Sequence, residues 1–152
     1  MSNKEEKYLT WKELVDMKPG TVLKDWFDEG VRCLILRGPS ALCAYVGVPI
    51  DHPLAGFNYD DVPLRCHGGL TFSAKGDGSM RPKGFYWFGY DYGHCNDYAF
   101  YYNEPGGMVL ESRGEDKKWM VKDVEDDMWS VVYDFKMLMK LSEQIHKTAR
   151  KA

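Results

Sequence analysis

Three of the four histidines in this chain, His52, His67 and His94, stand beside proline, glycine or aspartate in its broken middle region. Imidazole exchanges a proton or ligates a metal near neutral pH, and a glycine neighbour lets backbone or ligand approach it closely. Asp91, His94 and Asp97 follow one another at i, i+3 and i+6. A tight loop with that spacing can converge all three side chains on one pocket, and no chain constraint keeps His67 from the same place. Two imidazoles and two carboxylates suffice for a divalent metal that activates water, or for metal-free acid–base catalysis. His67, His94, Asp91 and Asp97 are therefore the candidate catalytic set, with His52 as a further ligand-binding side chain. The metal arm lacks the H-E-x-x-H and C-x-x-C spacings that fix ligands locally. The plain alternative is that each histidine bonds a nearby carbonyl, Asp91 and Asp97 cap turns, and Asn96 takes a left-handed conformation. His146, in a basic stretch near the end of the chain, reads as solvated.

A cysteine nucleophile is a second chemistry, with Cys95 as the most accessible thiol and His67 as its base; adjacent His94 would diverge from it. No serine stands in a G-x-S-x-G elbow, and Gly76-Asp-Gly78 is not followed by the Gly-Lys-Ser/Thr of a phosphate loop. Nucleoside triphosphate hydrolysis is thereby disfavoured. The aromatic series Tyr86, Phe88, Tyr90 and Tyr92, continued by Tyr98, Tyr101 and Tyr102, offers a different kind of site. Tyr90 and Tyr92 are candidates to stack on a base, and Arg65, with Arg32, Arg37 and Arg81, to meet phosphate. Aromatics in a strand also build cores, and these arginines are scattered along the chain.

The elements that must position these groups begin at Thr10-Trp-Lys-Glu13, a capping box that starts a short helix at Trp11, which Lys18-Pro19-Gly20 stops. Thr21 to Glu29 fits a helical face and an edge strand equally well. Arg32–Arg37 and Leu42–Val46, joined by Gly38-Pro39-Ser40, read as a β-hairpin with Cys33 and Cys43 toward one interior. Pro49–Pro63 is a packed loop. Leu64–Ser73 reads as a strand with Cys66, Leu70 and Phe72 on the core face and His67, Thr71 and Ser73 on the other. Ala74–Lys83 is expected as a mobile surface connection able to serve as a lid. Phe85–Asp91, aromatic on both faces, should be covered on both sides and central in its sheet. Met108–Glu111 is expected to add a short strand.

Val121, Val124, Met128, Val131, Val132, Phe135, Leu138, Met139 and Ile145 recur at three- and four-residue intervals, the pattern of one long amphipathic helix. Acidic residues at its start and basic residues at its end suit the helix dipole. The expected fold is α+β: an antiparallel twisted sheet, a short N-terminal helix, and a long C-terminal helix packed on one face. Residues 1–8 read as a flexible tail and 9–150 as one domain, as 152 residues suggest.

A formal net charge of −3 leaves no basic excess to follow a nucleic-acid backbone, and no apolar run reaches membrane-spanning length. The polar N-terminus lacks a signal-like apolar stretch and the four cysteines lack scaffold spacing, so the expected address is cytoplasmic, with free thiols. Homo-oligomerisation stays open.

His52-Pro-Leu-Ala-Gly56, His67-Gly-Gly-Leu-Thr-Phe72 and Trp87-Phe-Gly-Tyr-Asp91, followed by His94 and Asp97, resemble a family of uncharacterised proteins encoded by bacteriophages and prophages. The resemblance covers the middle third to half of the chain. It implies a viral setting in the host cytoplasm and carries no established activity. The expected function is hydrolysis of a small phosphorylated or nucleotide-like substrate at the His/Asp pocket. The alternatives are non-catalytic capture of a nucleotide signal of host defence, and binding of a host protein.

Overall fold

The computed structural model describes residues 8–102 and 115–151. The capping box forms as the sequence indicates: Glu13 N–H donates to Thr10 Oγ1 at 3.2 Å and Thr10 N–H to Glu13 Oε1 at 3.3 Å, opening helix α1, Trp11–Asp16. Its last carbonyls would be orphaned at so short a helix end. The buried Arg37 guanidinium supplies their donors, with Nε to Leu14 O at 2.9 Å and Nη2 to Val15 O at 2.8 Å, over the Phe100 ring. This arginine is a structural clamp rather than a phosphate ligand. Arg32 is likewise engaged, in a two-pronged pair with Asp25 between the Phe27 and Phe85 rings.

The ambiguous stretch is a strand, β1 (Val22–Asp28), paired with β2 (Val31–Arg37). Glu29 and Gly30 both have positive φ, 45° and 88°, the geometry of the tight turn whose twist matches a hairpin. β3 (Leu42–Pro49) pairs with β2 as expected. Cys33 and Cys43, however, face opposite sides. Cys43 pairs with Leu36, three residues from Cys33, and an odd step along a strand reverses the face. Cys33 enters the core beneath the C-terminal helix, and Cys43 packs with Leu36, Tyr45 and Trp87 on the other face.

β5 (Phe85–Asp91) lies between β3 and β4 (Phe72–Lys75), in the antiparallel order β1-β2-β3-β5-β4. Tyr86, Phe88 and Tyr90 fill the helix-side core and Trp87 the opposite cluster, so this strand is covered on both faces. The expected strand over Leu64–Ser73 is shorter. Gly68 and Gly69 take φ of 71° and 82°, which ends any extended run, and ladder pairing starts only at Phe72. As a result Cys66 and Leu70 reach the helix-side core while Phe72 lies on the other face. The connection between β4 and β5 is not a free lid: Trp87 Nε1 donates to Pro82 O at 3.0 Å, and Arg81 lies over Phe72 and Tyr45.

The long loop after β3 packs through Leu54 and Val62, though Phe57 is exposed. Helix α2, Val121–Lys151, crosses the sheet with Val124, Met128, Val131, Val132, Phe135 and Met139 buried. Lys24–Glu125 and Lys136–Asp28 ion pairs fix it to the β1–β2 hairpin. The expected apolar face ends early: Ile145 is 61% exposed, because past Met139 the helix runs beyond the residues that cover it. The architecture is thus α+β, with both helices as expected. No described helix is long and apolar enough to cross a membrane. Residues 1–7 of the expected tail, and the strand expected at Met108–Glu111, lie outside the described residues.

Candidate active site

β5 ends at Asp91, and the chain turns there because Asp91 Oδ1 accepts from Gly93 N–H at 2.9 Å. Asn96, at φ 74°, takes the left-handed conformation that asparagine tolerates, and Asp97 N–H closes a turn onto His94 O at 3.0 Å. This loop carries Asp97 inward until it is 6% exposed. A buried carboxylate requires donors, and Asp97 has three from three chain segments. His67 Nε2 lies 2.6 Å from Oδ2, His94 N–H donates to the same oxygen at 2.9 Å, and Trp119 Nε1–H donates to Oδ1 at 2.8 Å.

The His67 ring stacks on Tyr92 with centroids 4.6 Å apart and planes 15° from parallel, and meets Trp119 edge-on at 4.9 Å. With the carboxylate accepting, Nε2 carries the hydrogen and Nδ1 keeps the lone pair. Among the described residues nothing hydrogen-bonds to Nδ1, and 24% of the side chain is open to solvent. Tyr92 is itself pinned, donating to Asp127 Oδ2 of α2 at 2.6 Å; burial pushes its phenol up, so it stays a donor throughout the neutral range.

The His94 ring lies 5.8 Å from that of His67. Its Nε2 is enclosed and approaches Asp91 Oδ1 at 3.4 Å without hydrogen-bond geometry. The ring sits directly on Gly68, where an added Cβ would fall 2.2 Å from Nε2. Gly68 is therefore needed twice, for its positive φ and for this close approach.

His67, His94, Asp91, Asp97 and Tyr92 thus come together, and others do not. His52 accepts from Leu54 N–H at 3.1 Å through Nδ1 and pairs with Glu143 at 3.0 Å through Nε2. Glu143 lies sixteen residues past Asp127 on α2, about 24 Å along the axis, so His52 is remote from the cluster. Tyr90 is core, not a stacking surface: its enclosed hydroxyl lies beside that of Tyr92 without forming a hydrogen bond of normal geometry. Tyr92 is 1% exposed, with its ring already against His67 and Trp119. Arg65 is exposed, two residues before His67.

Cys95 is exposed and makes no hydrogen bond to an imidazole among the described residues, while burial pushes the Cys66 thiol up to about 12 and removes it as a nucleophile. No group of three His, Cys, Asp or Glu side chains among the described residues could hold a metal ion. A cavity of about 610 Å³ opens elsewhere, between Leu9, Leu23, Lys24, Met120 and Val121. The His67 side chain is 24% open to solvent, and Trp119, which its ring meets edge-on, also lies under Nζ of the exposed Lys117 at 3.8 Å.

Sequence reasoning missed Trp119, Lys117 and Asp127. Nothing local marks a residue before a helix, or an acid in its first turns, as reaching back to a loop twenty or more residues earlier. Comparisons with family models, with curated proteins and with solved structures return no match to this chain.

Proposed function

We propose that the protein is a metal-independent hydrolase of a small phosphorylated or nucleotide-like substrate, acting in a bacteriophage or prophage setting. One observation carries the reading: a carboxylate with its other lone pairs taken by backbone and indole donors holds one imidazole by Nε2 and leaves Nδ1 basic. This is the orientation a general base needs. His67 Nδ1 takes a proton from water, the hydroxide formed attacks the ester centre, and Asp97 stabilises the imidazolium. The bond to the leaving oxygen breaks and that oxygen receives a proton from the imidazolium form of His94, whose Nε2 lies 3.4 Å from Asp91 Oδ1. Lys117 and Arg65 favour an anionic substrate. The burial of Tyr90 and Tyr92 speaks against capture of a base by stacking on them.

The test is turnover of a panel of aryl phosphomonoesters and diesters and of nucleoside mono-, di- and cyclic phosphates, with chelator present. Hydrolysis of at least one compound is expected, falling roughly 10²- to 10⁴-fold in His67→Phe, which keeps a ring against Tyr92 while removing the base. No turnover on any compound, turnover abolished by chelator, or stabilisation by a nucleotide recovered intact would overturn the proposal.

A further inference from the structure

The two imidazoles of the site offer the same nitrogen to a substrate. His67 Nε2 is held by Asp97, and the rest of the ring is partly open. His94 Nε2 is enclosed against Gly68 and Asp91 while its side chain is 34% open, so Nδ1 is the nitrogen a substrate reaches there too. The ring centroids are 5.8 Å apart. With nitrogen–oxygen distances of about 2.6–3.2 Å on each side, that separation brackets the attacking and departing oxygens of a single phosphorus.

What such a pair can accelerate bounds the substrate. One general base and one general acid contribute about 10²- to 10⁴-fold each, hence about 10⁴- to 10⁸-fold together. Holding the water in place adds an effective molarity of at most about 10⁵–10⁸ M. The product falls short of the roughly 10²¹-fold that the hardest case, an unactivated phosphomonoester, requires. The ester must therefore carry activation of its own. A good leaving group, as in an anhydride, an acyl phosphate or an aryl ester, is one source, but a group that departs as a stable anion has no use for the proton on His94. Strain is the other source. A five-membered cyclic phosphodiester is compressed at phosphorus, and its opening expels a sugar alkoxide, which does need a proton. Such a diester carries one negative charge, which suits two surface cations, Lys117 and Arg65, better than a monoester dianion does.

We infer that the substrate is a five-membered cyclic phosphodiester of a vicinal diol, as in a nucleoside 2′,3′-cyclic phosphate; this rests on the reading of His67 as base and His94 as acid. His67 Nδ1 takes one proton from water, and the water oxygen bonds to phosphorus. The bond from phosphorus to one ribose oxygen breaks, and that oxygen takes a proton from His94 Nδ1. One water is consumed, a 2′- or 3′-monophosphate leaves, and the imidazoles reset by exchanging protons with solvent.

Phosphorus NMR on the full chain with chelator present tests this. Adenosine 2′,3′-cyclic phosphate is compared with adenosine 3′,5′-cyclic phosphate, adenosine 3′-monophosphate and an aryl phosphodiester, with His67→Phe prepared alike as the background. The 2′,3′-cyclic ester should open at least about 10²-fold faster than its 3′,5′ isomer, whose six-membered ring is nearly unstrained, and adenosine monophosphate should accumulate. His94→Gln should lose about 10²- to 10⁴-fold on it. Comparable rates on the 3′,5′ isomer or the monoester, turnover of other esters but not of the 2′,3′-cyclic one, or an undiminished rate in His94→Gln would each overturn the inference and leave His67 standing as the base. Inertness toward these compounds and toward the whole ester panel would remove both.

Discussion

Replacing Asp97 by asparagine changes one atom of the site and tests its construction directly. The carboxylate accepts from His67 and from His94 N–H on one oxygen, and from the Trp119 indole on the other. An amide has one acceptor and turns the other position into a donor. His67 can change tautomer to meet an NH₂ group, but neither the His94 backbone N–H nor the Trp119 indole N–H can. One of those two donors is therefore left facing a donor, at a cost of about 1–3 kcal/mol, and the surviving bonds lose their charge assistance, about 1 kcal/mol more. A loss of roughly 2–4 kcal/mol in a domain of this size lowers Tm by roughly 5–15 °C. Differential scanning calorimetry reads it, with Asp91→Asn as comparator. Asp91 is half-buried and holds one backbone N–H that an asparagine oxygen can hold as well, so its loss should stay under about 1 kcal/mol. An Asp97→Asn protein melting within about 2 °C of wild type, or alongside Asp91→Asn, would refute the three-donor account.

Gly68→Ala should cost more than a left-handed penalty alone, because its methyl group meets the His94 ring; loss of about 2 kcal/mol or more in urea unfolding is expected, with displaced His94 resonances in the NMR spectrum. Burial raises the Cys33 and Cys66 thiols to about 12, so the folded chain keeps protons that the unfolded chain loses from about pH 9. The unfolded state then binds fewer protons, and unfolding free energy should fall as pH rises from about 9 toward 12; a flat profile between about pH 8 and 10.5 would contradict it. In a native thiol titration Cys95 should react first and Cys33 last, and a Cys95→Ser variant should lose the fast phase.

The elements that the sequence revealed are those whose signals are local. Thr10 and Glu13 reciprocate within one turn, the β2–β3 hairpin is bounded by turn chemistry, and the three- and four-residue rhythm of α2 runs for over five turns. Thr21–Glu29 stayed ambiguous because Val22, Trp26 and Phe27 suit either period, and the deciding feature was a two-residue turn at its end, Glu29-Gly30. The Leu64–Ser73 strand failed at Gly68-Gly69, where the need for positive φ outweighed alternation. At the site, residue types were legible and roles only partly so. His67 and Asp97 are thirty positions apart, and their meeting depends on Trp119 and Tyr92 walling the imidazole. His52 carries the same local signature as His67, yet packs against the far end of α2. Ile145 keeps the helical rhythm, but rhythm alone does not say how far a sheet extends beneath a helix.

β4 has four residues and ladder bonds to β5 alone, whereas the strands inward of it are held on both sides. Peeling it away releases the turn that bears His67 and leaves the β1–β2–β3–β5 meander and α2 zipped. The imidazole and its carboxylate can therefore part company in a molecule that is otherwise native, and the free energy of that opening is smaller than that of global unfolding. Amide protons on the outer rim should exchange ahead of those in the meander, and any compound bridging the two segments should slow them. The placement of His67 is in that sense tied to the outer edge of the sheet, while the meander belongs to its interior.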